Sequence, residues 1–211
     1  IWYRGDGNEL EQLYGTLKDY ADKYKFWACK STPGIEMRKI HTGLPQLIVK
    51  VLTAIVLSDM NDFDFDSGKQ GKIWEAIEEQ NGFRKKMEKA LKEILYIGDG
   101  AFKVTIDTAV SEYPILEWYP GERIEILYQR DRLREVIFKT PYNAKGKRYV
   151  LNERYGYGYI INELYLDEKL VDLKALDQTR NLQDWRFDEK TILAVPIHVY
   201  ESTKYENRGG S

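Results

Sequence analysis

The chain has 211 residues, 43% hydrophobic and 31% charged, enough for one large or two small packed domains and unlike a disordered chain. Its net charge of −2 excludes a monomer that grips nucleic acid with its whole surface, because neutralising phosphates needs a basic surplus. A lone cysteine, Cys29, excludes an intrachain disulfide and a cysteine zinc cluster.

In chain order, the first helix is expected from about Asn8 to Ala21, with Leu10, Leu13, Tyr14 and Leu17 on one face. Asn8 serves as its N-cap, and Glu11 follows three residues later as in a capping box. Arg4-Gly5-Asp6 just before it spells an adhesion tripeptide but reads as a turn. Residues 22–41, with Ser31-Thr32-Pro33-Gly34, form an irregular connection. A second helix starts near Gly43, capped by Thr42 and with Pro45 in its first turn. Leu44, Leu47, Ile48, Val51, Leu52, Ile55 and Val56 cover so much of its circumference that it should be the most buried helix. Even so, Lys50 and Thr53 interrupt its apolar run from Leu47 to Leu57, well short of the roughly 20 residues of a membrane span. No signal peptide is visible either.

An acidic stretch, Asp59 to Asp66, follows. Asp62, Asp64 and Asp66 open like a calcium loop, but Ser67 stands where the tight-turn glycine belongs and Ile73 where the bidentate glutamate belongs. The spacing therefore predicts an acidic interhelical loop with Phe63 and Phe65 tucked inward. Gly68-Lys69-Gln70-Gly71-Lys72 lacks the spacing and the hydroxyl residue of a phosphate loop. Two further helices flank Asn81-Gly82, a helix stop. One carries Ile73, Trp74 and Ile77; the other carries Phe83, Met87, Leu91, Ile94 and Leu95 and stops at Gly98-Asp99-Gly100.

Near residue 100 the period changes from helical to alternating. Strands are expected at Ala101 to Ile106, with Phe102 and Val104 opposed to Lys103 and Thr105, then at Pro114 to Tyr119, Arg123 to Gln129 and Leu133 to Thr140. Asn143-Ala144-Lys145-Gly146 turns the chain into Lys147 to Asn152, and Tyr157 to Leu166 and Ile192 to Tyr200 follow as strands. Residues 170–190 read as a long loop. Helices first and antiparallel strands second define an α+β fold, with residues 1–100 mainly helical and 101–211 mainly β.

Catalytic constellations do not assemble on paper. His41 and His198 are far apart, and a triad or zinc site needs more than two histidines and one cysteine can supply. Metal-dependent nucleases gather carboxylates with a lysine, but Glu201 and Lys204 have the wrong spacing, while Glu88, Lys89 and Lys92 form the solvated face of a helix. Tyr149, Tyr155, Tyr157 and Tyr159, interleaved with Lys145, Lys147, Arg148 and Arg154, offer either a stacking and phosphate-contacting surface or a packing interface, and the acidic total favours the interface. No catalytic residue, metal ligand or cofactor site is expected.

The order of these features resembles the portal proteins of long-tailed phages, also called minor capsid proteins in siphoviruses of Gram-positive hosts. The resemblance runs from Trp2-Tyr3-Arg4-Gly5-Asp6 through the helix Leu47 to Leu57, Asn81-Gly82-Phe83 and Leu95-Tyr96-Ile97-Gly98-Asp99-Gly100-Ala101-Phe102. It ends with Pro196-Ile197-His198-Val199-Tyr200 and Glu206-Asn207-Arg208-Gly209-Gly210-Ser211, similar to the run before that family's long stem helix. It implies a wing fragment spanning 1–211 without stem, clip or crown, and an Ile at position 1 with a flexible Arg-Gly-Gly-Ser end agrees with a fragment. It further implies a non-enzymatic ring subunit, usually one of twelve, at one vertex of the virion capsid, assembled in the host cytoplasm. Its implied partners are further copies of itself, major capsid and scaffolding proteins, terminase, a head–tail connector, and double-stranded DNA sliding through the channel without sequence-specific binding. No membrane is implied. The competing expectations are another virion structural protein, such as a connector or baseplate component, and a metal-dependent nucleic-acid enzyme.

Overall fold

A computed structural model of the chain describes residues 1, 3–16 and 41–198. The chain divides into two compact units, Ile1–Met60 and Asn61–Ser211. The expected connection over 22–41 falls almost wholly outside the described residues, as do Cys29, Ala21, Leu17, Tyr200, Glu201 and Lys204.

In the first unit, helix α1 spans Gly7–Thr16. Its cap is Asp6 and not Asn8: Asp6 Oδ1 accepts from the backbone N–H groups of Asn8 (2.9 Å) and Glu9 (3.1 Å), quenching donors that the first turn leaves open. Arg4-Gly5-Asp6 is indeed the turn that delivers this cap, with Gly5 at φ 67° and Arg4 paired to Glu9. Leu10 is fully buried. Helix α2 spans Leu44–Asp59 with Pro45 in its first turn. Gly43, at φ 68°, holds the cap position, and Thr42 contributes only a long bond to the Leu44 N–H (3.4 Å).

The expectation that α2 is the most buried helix is wrong. Only Val49 and Thr53 are buried, whereas Leu44, Leu47, Ile48, Val51, Leu52, Ile55 and Val56 are 41–56% exposed. An apolar circumference reports a demand for cover, and the described residues of the first unit do not supply that cover.

In the second unit, α3 (Gly68–Asn81) begins at Ser67, whose side chain accepts from the Gln70 N–H, and ends at Gly82 in the left-handed conformation. The same glycine starts α4 (Phe83–Ile97), which buries Phe83, Ala90 and Ile94. Asn81 ties this corner to the strands: its Nδ2 donates to the carbonyls of Ile77 and Pro114, and its Oδ1 accepts from the Leu116 N–H. The acidic loop before α3 does not tuck its rings away. Phe63 and Phe65 are 54% and 42% exposed, although Phe63 meets Trp74 edge-on at 4.8 Å.

Strands β1 (Asp99–Thr105), β2 (Ile115–Pro120) and β9 (Ala194–His198) form an antiparallel three-stranded sheet in the order β2-β1-β9. Strands β3 (Ile124–Gln129), β4 (Arg132–Ala144), β5 (Lys147–Gly156), β6 (Tyr159–Leu166) and β7 (Lys169–Val171) run as an antiparallel meander, and β8 (Trp185–Arg186) adds to β6. The architecture is α+β. Residues 170–190 are more than a loop: they hold β7, a 3-10 turn at Leu173–Ala175 and β8. Leu176 packs there on Leu151 and Leu164, and the buried Thr179 hydroxyl donates to the Leu173 carbonyl.

The alternation expected of β1 also fails, for a packing reason. Residues 99–103 are all buried, because both faces of the strand are covered. Phe102 lies among Ala90 and Ile94 of α4. Ala101 and Ala194 pack on Ile124, Ile126, Val136, Phe138 and Tyr155 of the larger sheet. Lys103, expected on the outer face, is therefore an interior residue.

Candidate functional site

Two places bring polar groups together. The first is a seam between the two sheets. Lys103 Nζ lies 2.9 Å from Glu153, 3.1 Å from Glu117 and 3.3 Å from the Tyr119 hydroxyl, and 4.9 Å from the centre of the Tyr119 ring. Burial alone would lower its pKa, but Glu153, Tyr119 and Glu117 outweigh burial and hold it above the usual lysine range. A lysine kept charged in this way has no free lone pair for nucleophilic or Schiff-base chemistry. Burial pushes the neighbouring Tyr155 phenol up to about 12. The seam is a clamp.

Farther along the seam, His198 Nδ1 contacts Asp99 Oδ1 at 2.8 Å and His198 Nε2 contacts the Tyr128 hydroxyl at 2.7 Å. Asp99 and His198 are register partners on β1 and β9, while Tyr128 belongs to the larger sheet. This trio has the outline of a proton relay, and both ring nitrogens are engaged by the chain itself. His198 thus bridges the smaller sheet to Tyr128 of the larger one. His41 accepts from the Gly43 N–H at 3.0 Å. Among the described residues there is no group of three or more His, Cys, Asp or Glu placed to hold a metal ion. Glu88 pairs with Lys92, and Lys89 with Glu93, whose largely covered carboxylate also accepts from the Trp118 indole N–H.

The expected tyrosine and cation surface is not one surface. Tyr155 is buried edge-on against Phe138, and Tyr149 packs beside Leu151, Leu164 and Leu176. Lys145, Lys147 and Arg148 sit at the β4–β5 hairpin, at the other end of the meander from Tyr157 and Tyr159. Arg154 is held between Glu135 (2.8 Å) and Glu163 (3.2 Å). Burial would raise the Glu135 carboxyl, but hydrogen bonds from Arg154 and Tyr159 bring it below the usual carboxylate range. Burial and the bond to Glu135 raise the Tyr159 phenol. Gly156 makes this possible, since a Cβ there would lie 2.1 Å from the Tyr159 ring.

The second place is a groove of about 800 Å³ lined by Arg130, Arg132, Leu133, Arg134, Tyr157 and Tyr159. It forms where the β3–β4 and β5–β6 turns meet at one end of the meander, because Glu135 of β4 is opposite Gly156 of β5. Arg130 and Asp131 make a two-residue turn with both φ angles positive, 52° and 57°, the twist that hairpins favour. Arg132 and Arg134 then share one face of β4 by the strand's period of two. All three arginines are exposed, and none is in an ion pair among the described residues. The missed signal was their alternation in Arg130-Asp131-Arg132-Leu133-Arg134, which places like charges together once the segment is a strand.

No protein-family model matches this sequence, and no curated protein matches it. Among the described residues no helix is long and apolar enough to cross a membrane.

Proposed function

We propose that the chain is the wing region of a tailed-phage portal subunit, a structural element of a ring that conducts DNA and docks terminase and the head–tail connector at one capsid vertex. The observation that carries the assembly reading is the exposed face of α2. Seven large aliphatic residues open to water are a contiguous apolar surface of the kind that marks a protein–protein interface. The portal assignment itself rests on the order of motifs. The run from Leu95 to Phe102 supports it by placing a helix end, a Gly98 cap with φ 106° and the start of a central strand in immediate succession. The polar seam supports it too, since it spends its lysine, histidine and carboxylates on holding two sheets together. A net charge of −2 suits a conduit through which DNA must slide, because dense phosphate pairing would arrest it.

Electron microscopy of the chain extended through its natural downstream sequence tests this reading. Rings with a central channel are expected, and stable monomers or rings lacking a channel would reject it. Incubation with DNA and magnesium or manganese should leave the DNA intact; cleavage that disappears in a carboxylate variant would favour an enzyme instead.

A further inference from the structure

We infer that the Arg130, Arg132 and Arg134 groove receives the acidic, aromatic loop Asp62–Asp66 of a second copy of this chain. The inference rests on the ring reading above and adds a specific contact to it. A ring built by head-to-tail contacts needs two different, complementary patches on each subunit, and the second unit carries such a pair.

The groove offers three exposed guanidinium groups that make no ion pair among the described residues, with Asp131 and Glu135 as the opposing charges next to them in sequence. Tyr157, 45% exposed, and Tyr159 flank them. The loop offers the converse. Asp64 and Asp66 are exposed and in no ion pair among the described residues, Asp62 is already used by Arg84, and Phe63 and Phe65, each lying against Trp74 on one side, keep about half of their surface in water. Guanidinium groups pair with carboxylates in a fork and also stack on aromatic faces, so one alternating Asp-Phe-Asp-Phe-Asp segment satisfies both habits. Within a single chain the loop and the groove form no ion pair, so each remains available to another copy. Three arginines also meet one need of a phosphate backbone, but the chain as a whole is acidic and lacks the broad basic field of a nucleic-acid grip. The loop is the better occupant.

A fluorescent peptide of residues 59–67 should bind the chain in a salt-sensitive way. Binding should fall at least tenfold for the R130E/R132E/R134E chain, and at least tenfold for a peptide carrying D64K and D66K. The reversed peptide should bind the reversed chain, restoring most of the loss. All five altered side chains are exposed, so circular dichroism should show the fold unchanged. In the downstream-extended protein, the arginine reversal should abolish rings, and combining it with D64K and D66K should bring them back. Peptide binding unaffected by the reversal, or rings indifferent to it, would overturn the contact while leaving the ring reading intact. Peptide binding with the expected charge dependence but no rings would sustain the contact and sink the ring. An oligonucleotide that displaces the peptide and itself loses binding in the arginine reversal would overturn the contact in favour of a nucleic-acid site.

Discussion

Replacing Lys103 by methionine should destabilise the protein more than any exposed substitution, because it removes one charge from a buried cluster while keeping an unbranched apolar stem out to Cε. Lys103 is 4% exposed, and its ammonium group faces Glu153, itself only 12% exposed, and Glu117 at 38%. Methionine fills all but the place of the ammonium nitrogen, so little of the loss is a cavity. What remains is Glu153 with no cation, and removing one partner of a buried pair costs about 3–5 kcal/mol. Glu117 adds less, being partly in water and already accepting from the Thr105 hydroxyl at 2.7 Å. With a urea dependence of about 2–3 kcal/mol per molar, the midpoint should fall by roughly 1–2 M. The exposed control K145M should stay within about 0.5 kcal/mol of the parent. Neutralising both partners, as K103M with E153L, should recover at least half of the loss, since a paired apolar replacement strands no charge. The sign with pH is fixed by the direction of the shift. A lysine held above its unfolded value contributes fully below about pH 10.4 and fades only as pH rises through the higher folded value. The gap between parent and K103M should therefore be flat from about pH 6 to 9. Equal midpoints for K103M and K145M would refute the reasoning.

Three further outcomes follow from other sites. E135Q removes the charged acceptor of Arg154 and Tyr159 and should cost about 1.5–3 kcal/mol at neutral pH. Because the Glu135 carboxyl is depressed in the folded state, its contribution is present above the unfolded value of about 4.3 and is lost as pH falls through the lower folded one. Thermal melts of the parent should thus fall more steeply in acid than those of E135Q, and parallel curves would contradict this. G156A puts a Cβ 2.1 Å from the Tyr159 ring, which should expel the ring at a cost of about 1–3 kcal/mol and change the near-ultraviolet circular dichroism. T53V removes a buried hydroxyl that has no hydrogen-bond partner among the described residues; stability should hold or rise by up to about 1 kcal/mol, and a clear fall in melting temperature would show that the hydroxyl has a role.

Sequence alone determined the order and type of most elements in the second unit, because those signals are local, but it read the short β7 and β8 and the 3-10 turn between them as loop. Asn81-Gly82 stops one helix and starts the next through a left-handed glycine. The change from a helical to an alternating period places the first strand within two residues of where it begins. The segment Asn143–Gly146 makes a hairpin in which Ala144 pairs with Lys147 across the turn Lys145-Gly146. Local chemistry also placed the Arg4-Gly5-Asp6 turn, though it named Asn8 and not Asp6 as the cap, since neighbouring side chains of equal capping power are separated only by backbone geometry.

Only tertiary structure decided which side of each element is covered. Lys103 reads as an outward residue until α4 and the larger sheet enclose both faces of β1. The residues around α2 read as core, yet most stay open to water, because a periodicity measures how apolar a face is and not what lies against it. Arg130, Arg132 and Arg134 meet Tyr157 and Tyr159 only because β4 pairs with β5 in one register; a shift of one residue would turn the arginines to the opposite face. Contacts between residues distant in sequence depend on pairing and packing, which no short window of residues encodes.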